Sequence, residues 1–177
     1  SQPYDSALDW NTTTLWYVSF WVNHTQNDAY NPLLSRYHSS GNTWVIEGGN
    51  DNSLAWKATG GSVRANIAAD NQFNAWRHFV FTHDGTEMQG YRDGILMSTY
   101  KCNDNYTNSS AKLYIGHYPH SGGSSMTNSK MALVRIGKGG LTHDQVKRIY
   151  NDEKKMFAKN AKCTLYGSSD ATSAIAY

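Results

Sequence analysis

The sequence predicts an all-β domain, built as a sandwich or a barrel, and three observations support this. Only 17% of the 177 residues are charged, and Asn, Ser, Thr and Gly fill much of the remainder, which is typical of all-β extracellular domains. Short β-prone runs alternate with turn signals at close intervals. The chain is also long enough to bury one sizeable core.

The first strand is predicted at 15–23, LWYVSFWVN. Both of its alternating faces are apolar, with Leu15, Tyr17 and Trp21 on one and Trp16, Val18, Phe20 and Val22 on the other. A run that is apolar on both faces is typical of a central strand covered from both sides. Further strands are predicted after it, separated by the turn signals HSSGN, GGNDN and TGG, at 33–37, 43–47, 53–58 and 62–68.

Residues 76–100 predict a three-stranded meander with two tight hairpins. Trp76 to Thr82 alternates, and the Asp-Gly pairs at 84–85 and 93–94 supply residues that tolerate positive φ. His78 lies in mid-strand, and His83 and Asp84 lie where that strand ends. We therefore interpret these side chains as scaffold rather than as acid–base catalysts.

The last third predicts a polar loop at 101–110, a strand at 113–116, a second loop at 117–130 and a strand at 131–136. The period then changes to that of a helix over 142–157. Thr142 and Gln145 form a T-x-x-Q capping box, and Leu141 with Val146 forms a hydrophobic staple. The helix is expected to pack its apolar face on the sheets through Val146, Ile149, Tyr150 and Phe157.

The segment from about 15 to 157 resembles the laminin-G-like branch of the concanavalin A-like lectin/glucanase superfamily. The matching pieces, in order, are SFWV at 19–22, LLSR at 33–36, W-x-H-x-V at 76–80 with DG at 84–85, Y-x-D-G at 91–94, LYIG at 113–116 and MALVRI at 131–136. The resemblance implies a two-sheet antiparallel jelly-roll sandwich with one short C-terminal helix. It places the domain at 1–160 and leaves 161–177 as a C-terminal strand or the start of a following module. Gly90 and Arg92 depart from the family pattern, which prefers apolar residues there.

The end of the chain resembles the same kind of domain in bacteriophage tail and fibre proteins. The resemblance lies in IYNDEKKMF followed by AKCTLYG. It implies a module of a longer protein, located in a virion or outside the cell, with homo-oligomerisation possible within a fibre.

Several classes of function find no support in the sequence. The net charge is +2 with scattered Lys and Arg, so no basic footprint for nucleic acid exists. No apolar run approaches the roughly 20 residues that would insert in a membrane. The first residues, SQPYDSALDW, lack the regions of a signal peptide. Cys102 and Cys163 allow one disulfide, and neither CxxC nor HExxH occurs.

The remaining choice is between a binding module, a structural module and an enzyme. Glycan-cleaving members of the superfamily carry an E-x-D-x-E-like run, which places two carboxylates on one strand face. This chain has three glutamates, Glu47, Glu87 and Glu153, and none has an acidic residue two positions away. We therefore expect a non-catalytic module that binds carbohydrate or another host-surface ligand. A purely structural module of a virion appendage is the first alternative, and glycan cleavage is the second.

Two polar loops supply the candidate ligand-binding residues, because aromatic rings stack on sugars and amides bond to hydroxyls. The 101–110 loop offers Asn103, Asp104, Asn105 and Tyr106, and the 117–130 loop offers Tyr118 and His120. We favour the first loop and expect Asp104 and Tyr106 to be exposed. The loops flank one strand, so a ligand would use only one of them unless a loop folds back over a sheet. Trp44 and Trp56 are interpreted as core residues.

Calcium is a possible cofactor, although no cofactor is certain. The resemblance implies it, because related laminin-G and pentraxin domains use calcium. Loops with neighbouring Asp and Asn offer the oxygen ligands that calcium requires, and the candidate metal ligands are Asp51, Asp70 and Asp104.

Overall fold

Two antiparallel five-stranded sheets, packed face to face, make up the described part of the molecule. The computed structural model describes residues 1–24, 31–48, 53–58, 62–68, 74–120, 123–158 and 161. The strands are β1 Trp16–His24, β2 Asn31–Tyr37, β3 Trp44–Gly48, β4 Leu54–Ala58, β5 Val63–Ile67, β6 Trp76–His83, β7 Glu87–Arg92, β8 Ile95–Lys101, β9 Lys112–Ile115, β10 His117–Tyr118, β11 Ser124–Ser125 and β12 Ser129–Lys138.

The first sheet has the order β12-β1-β6-β7-β8, and the second has the order β5-β4-β3-β2-β9. A small two-stranded ribbon, β10-β11, is not hydrogen-bonded into either sheet as a strand. The predicted all-β sandwich with one C-terminal helix is confirmed, and its architecture is consistent with a jelly roll. The predicted segment 161–177 lies outside the described residues except for its first residue.

Strand β1 is central in the first sheet, as its two apolar faces predict. It pairs with β12 on one side and with β6 on the other. Trp16, Val18 and Phe20 belong to the core between the sheets. Trp21 lies on the opposite face, where its ring stacks on Phe157 at 4.1 Å. Both faces of the strand are therefore covered, one by the second sheet and one by the C-terminal segment.

A column of stacked indoles fills the centre of the sandwich. The ring centroids of Trp10 and Trp16 lie 4.6 Å apart, those of Trp16 and Trp56 4.7 Å, and those of Trp56 and Trp44 4.6 Å. All four side chains are buried. The interpretation of Trp44 and Trp56 as core residues is confirmed, so neither ring is accessible to a ligand.

The meander forms as predicted. Asp93 and Gly94 both have positive φ and join β7 to β8 through a two-residue turn between Arg92 and Ile95. At the other hairpin, the Asp84 carboxylate accepts hydrogen bonds from the backbone N–H groups of residues 86 and 87, at 2.9 and 2.8 Å. These bonds fix the turn, so Asp84 has the structural role that its position predicts.

The two departures from the family pattern have a shared physical reason. A Cβ at Gly90 would lie 3.0 Å from Ile67 of the opposing sheet, so glycine allows β5 to approach β7 closely. Arg92 donates a hydrogen bond to the carbonyl of Ala68, the residue that follows β5. Both residues therefore dock the edge of the second sheet onto the first.

Helix α1, His143–Glu153, continues into a 3₁₀ turn at Lys154–Phe157. Both hydrogen bonds of the predicted capping box between Thr142 and Gln145 are present. Val146 packs with Val80 and Tyr91 on the outer side of the first sheet, which confirms that the helix lies against the sandwich. No helix among the described residues is long and apolar enough to cross a membrane.

Candidate functional site

The outer face of the second sheet carries a pair of tyrosines and a lysine on the edge strand β9 and its neighbour β2. Strands β2 and β9 pair so that Tyr37 lies opposite Lys112 and Ser35 opposite Tyr114. The alternate residues of these strands, among them Leu34 and Leu113, belong to the core. Because successive side chains of a strand point to opposite faces, Tyr37, Lys112 and Tyr114 point away from the core.

The described first part of the predicted 117–130 loop, residues 117–120 and 123–125, folds back over this outer face, whereas residues 129–130 already belong to β12. Gly116 has a φ of +69°, and its N–H donates to the carbonyl of Leu33 at 2.7 Å. The Ser35 hydroxyl donates to the carbonyl of His117 at 2.7 Å, which holds the β10-β11 ribbon on β2. The sequence analysis allowed one ligand to meet both loops only if a loop folded over a sheet, and this is the arrangement found.

Together these elements enclose an open cleft of about 320 Å³, which we call the tyrosine cleft. It is lined by Tyr37, His38, Ser39, Ser110, Lys112, Tyr114 and Pro119. Ser110 is the last residue of the first predicted loop, and Pro119 belongs to the second. The two loops therefore contribute to a single site.

Tyr118 and His120, both predicted as ligand-binding residues, lie beside the tyrosine cleft. The Tyr118 ring meets the Tyr37 ring edge to face at 5.1 Å, and the His120 ring lies 4.7 Å from that of Tyr118. Burial raises the pKa of Tyr118, and the neighbouring Tyr37 and Glu47 add to this shift. The structure thus places these two of the six predicted residues next to the tyrosine cleft, and their role in binding stays a prediction.

The 101–110 loop contradicts the sequence analysis at Tyr106. This side chain was expected to be exposed, but it is 2% exposed and belongs to the core. Its hydroxyl donates to Asp104 and accepts from the Trp56 indole N–H, both at 3.1 Å. The buried Arg36 donates to the Tyr106 carbonyl and draws the loop inward. The expected exposure is wrong, because the tyrosine is an anchor of the loop and has no free face for a sugar.

Asp104 also has a structural role, because its carboxylate is bonded to neighbouring side chains. Its carboxylate accepts from the Arg64 guanidinium through two bonds, at 2.5 and 3.0 Å, and from the Cys102 thiol at 3.3 Å. Burial opposes ionisation of this carboxyl, but the bonds from Arg64, Cys102 and Tyr106 hold its pKa below the usual value. Asp104 was expected to be exposed, but it is partly buried. Asn103 and Asn105 are exposed, and their role in binding stays a prediction.

The residues of the tyrosine cleft on β2 and β9 were missed by the sequence analysis, although a signal exists for one of the two rings. In KLYI, Leu113 belongs to the core and the neighbouring Tyr114 falls on the other face. LLSRY has two consecutive core leucines, so Tyr37 is recognised as outward only from its pairing with Lys112. An aromatic ring that points away from the core of a sandwich is a candidate for ligand contact.

Comparison with protein families decides the assignment. A family model described as the concanavalin A-like lectin/glucanases superfamily, of the laminin-G type, matches residues 5–147. The chain belongs to this superfamily. No curated protein sequence gives a match to the chain.

Solved structures share the fold of this concanavalin A-like domain. Domain 4 of AbnA, a GH43 extracellular arabinanase from Geobacillus stearothermophilus in complex with arabinotriose, superposes with a TM-score of 0.63 and 16% identity over 80% of this chain and 75% of that one. A heptameric SAP-like pentraxin from Limulus polyphemus gives 0.61 and 15% over 85% and 80%.

The binding domain of botulinum neurotoxin DC in complex with SialylT gives a TM-score of 0.60 and 16% identity over 79% of this chain. The chain spans only about a third of the length of this and related toxin binding domains, 36% in this case. At such identities the likeness establishes the fold alone.

Two of the three glutamates of this concanavalin A-like domain have structural partners. Glu47 forms an ion pair with Lys57, and Glu153 accepts from the Trp21 indole at 2.7 Å and from Arg135. The expectation of a non-catalytic domain stays a prediction. Asp51 and Asp70 lie outside the described residues, and both oxygens of Asp104 already face Arg64, which does not suit a calcium ligand. Among the described residues, no group of three or more His, Cys, Asp or Glu could hold a metal.

Proposed function

We propose that the chain is a non-catalytic carbohydrate-binding module and that the tyrosine cleft is its sugar site. The observation that carries the proposal is the pair of outward rings, Tyr37 and Tyr114, set beside hydroxyl groups and an ammonium group in one concave surface. The apolar face of a pyranose stacks on an aromatic ring, and its hydroxyls require directional polar partners close by.

The chemistry of the remaining lining residues suits the same ligand. Ser39 and Ser110 offer hydroxyls that both donate and accept, and His38 offers an imidazole. Pro119 adds a rigid apolar surface to the lining. A cleft of about 320 Å³ stands at the lower end of the usual range of ligand sites, about 300–1,000 Å³, which favours a short saccharide.

Proteins of the same fold support the proposal through what they bind. The arabinanase domain was solved with arabinotriose, and a botulinum neurotoxin binding domain was solved with SialylT. Entry of botulinum neurotoxin type C depends on interaction with two ganglioside molecules. A jelly roll of this kind is therefore suited to present a sugar site, and the site itself must be argued from this chain's own residues.

For the biological setting we propose recognition of a glycan on a host or cell surface by a larger extracellular adhesive protein or a phage tail or fibre. The support is the resemblance of residues 149–167 to such domains. A structural module that touches no sugar is the competing function. Glycan binding by the purified chain separates the two.

The experiment is a glycan array probed with the parent chain and with Tyr114→Ala. Loss of one stacked ring should weaken binding of the parent's ligands about tenfold or more. Tyr100→Ala is the matched control, because it removes a partly exposed tyrosine from β8 of the other sheet and should leave binding unchanged. Thermal unfolding of each variant shows that the fold is retained. Equal affinity of the parent and Tyr114→Ala would exclude the tyrosine cleft, and an array without any bound glycan would favour the structural module.

A further inference from the structure

Lys112 differs from the other cations on the strands of the second sheet. These strands carry four cationic side chains, and three of them are ion-paired: Arg36 with Asp9, Lys57 with Glu47, and Arg64 with Asp104. Lys112 is exposed and has no ion pair within the described part of the chain. Ion pairs neutralise the other three positive charges on this sheet, whereas the charge of Lys112 lies in the concave surface of the tyrosine cleft.

Among the described residues, the lining of the tyrosine cleft around Lys112 includes no Asp or Glu. Lys112 stands directly opposite Tyr37 and two residues before Tyr114, on the same face of the sheet. Its ammonium group is therefore available beside both rings that would stack on a sugar. A position beside two outward aromatic rings is the position that a ligand-binding lysine requires.

A negatively charged group on the ligand would complete this arrangement. A hydrogen bond between an ammonium group and a carboxylate or sulfate oxygen is shorter and stronger than one between neutral partners. The hydroxyl groups of Ser39 and Ser110 can donate to the remaining oxygens of the same anionic group. The cleft offers a cation and hydrogen-bond donors, and its described lining has no acidic residue. It therefore favours anionic sugars over neutral ones through charge.

We infer that the ligand of the tyrosine cleft is an anionic glycan, and that Lys112 binds its carboxylate or sulfate group while Tyr37 and Tyr114 contact the sugar rings. This inference rests on the proposed function and adds the chemical class of the ligand. The carboxylate of an acidic sugar and the sulfate of a sulfated sugar present the same chemistry to an ammonium group, so the experiment must include both.

The test uses an array that contains carboxylated, sulfated and neutral glycans. The bound glycans should belong to the carboxylated or the sulfated set, and which set responds identifies the source of the charge. Lys112→Met keeps much of the aliphatic stem and removes the charge, so it should weaken binding of these glycans about tenfold or more. Lys112→Arg should retain most of the affinity. Raising the salt concentration should weaken the parent and affect Lys112→Met less.

Lys101→Met is the matched control, because it removes an equal charge from the end of a strand in the other sheet and should leave binding unchanged. Neutral glycans that bind the parent and Lys112→Met equally, but not Tyr114→Ala, would overturn the inference and leave the proposed function standing. Acidic glycans whose affinity survives Lys112→Met would also overturn it. If no glycan binds at all, the proposed function itself fails.

Discussion

Acid should destabilise this domain through one buried histidine, His78 of β6. The side chain is fully buried, and its ring lies beside those of Trp21, at 5.1 Å, and Tyr150, at 6.3 Å. Its Nε2 lies 2.9 Å from the Ser19 hydroxyl, and its Nδ1 has no hydrogen-bond partner among the described residues. Adding a proton would place a charge and an unsatisfied donor between the first sheet and the C-terminal helix.

The magnitude follows from the pKa of this group. Burial lowers the pKa of His78 from 6.5 to about 4, Glu153 acts in the opposite direction, and Arg135 contributes a further lowering. In the unfolded chain the histidine binds its proton at the higher pH, so stability is complete above pH 6.5 and falls as the pH decreases toward 4. At about 1.4 kcal/mol per pKa unit, the free energy of unfolding should decrease by about 3 kcal/mol across this range.

The assay is urea unfolding followed by tryptophan fluorescence between pH 7 and pH 4. The variant His78→Gln can keep a polar contact to Ser19 without titrating, so the free energy of unfolding should depend on pH less steeply in this range. His143→Gln, at the exposed start of the helix, is the matched control and should keep the slope of the parent. The pKa values of Asp9, Asp84 and Asp104 are lowered from 3.8, so their contributions are lost mainly below about pH 4, and only the lowest end of this range includes the start of that loss. Identical slopes for the parent and His78→Gln would refute the reasoning.

Two further predictions concern the fold. Tyr106→Ala should lower the free energy of unfolding by about 3–5 kcal/mol, because it empties a core position and removes partners of Trp56 and Asp104; a change below 1 kcal/mol in urea unfolding would contradict the anchoring role. Gly140→Ala should cost about 1–3 kcal/mol, because the new Cβ would lie 2.8 Å from the carbonyl oxygen of His83, and a thermal unfolding midpoint equal to the parent's would contradict it.

The regular elements were predictable because their signals are local. Alternating side chains give the strands, and the Asp-Gly pairs fix the hairpins at 84–85 and 93–94 through positive φ. The capping box of Thr142 and Gln145 gives the start of the helix. In each case the residues that carry the signal are neighbours in the chain, so the sequence alone contains the information.

The errors arose where distant residues decide the structure. Tyr106 stands in a polar stretch, and its burial depends on Arg36, Trp56 and the backbone of Trp10, whose carbonyl accepts its N–H at 2.7 Å. The folding back of the 117–130 loop depends on Ser35, which is 82 residues from its partner His117. Contacts at such separations leave no periodic trace in the sequence.

The candidate site also depends on contacts between residues that are distant in the sequence. The sequence analysis predicted binding residues in the polar loops because loops commonly carry function. The rings of the tyrosine cleft instead come from strand residues, Tyr37 and Tyr114, and the loops contribute only its margins. The alternation of β9 would have identified the Tyr114 ring as outward, but the outward position of Tyr37 and its closeness to Tyr114 depend on the pairing of β2 with β9.

The most direct test of the central claim is an amide chemical-shift titration of the parent chain with its best ligand from the glycan array. The tyrosine cleft should respond first, with saturable shifts at residues 37–39, 110–114, 118 and 120. Shifts confined to Asn103 and Asn105, or to the surface between β7 and the helix, with these residues unmoved, would contradict the assignment of the sugar site.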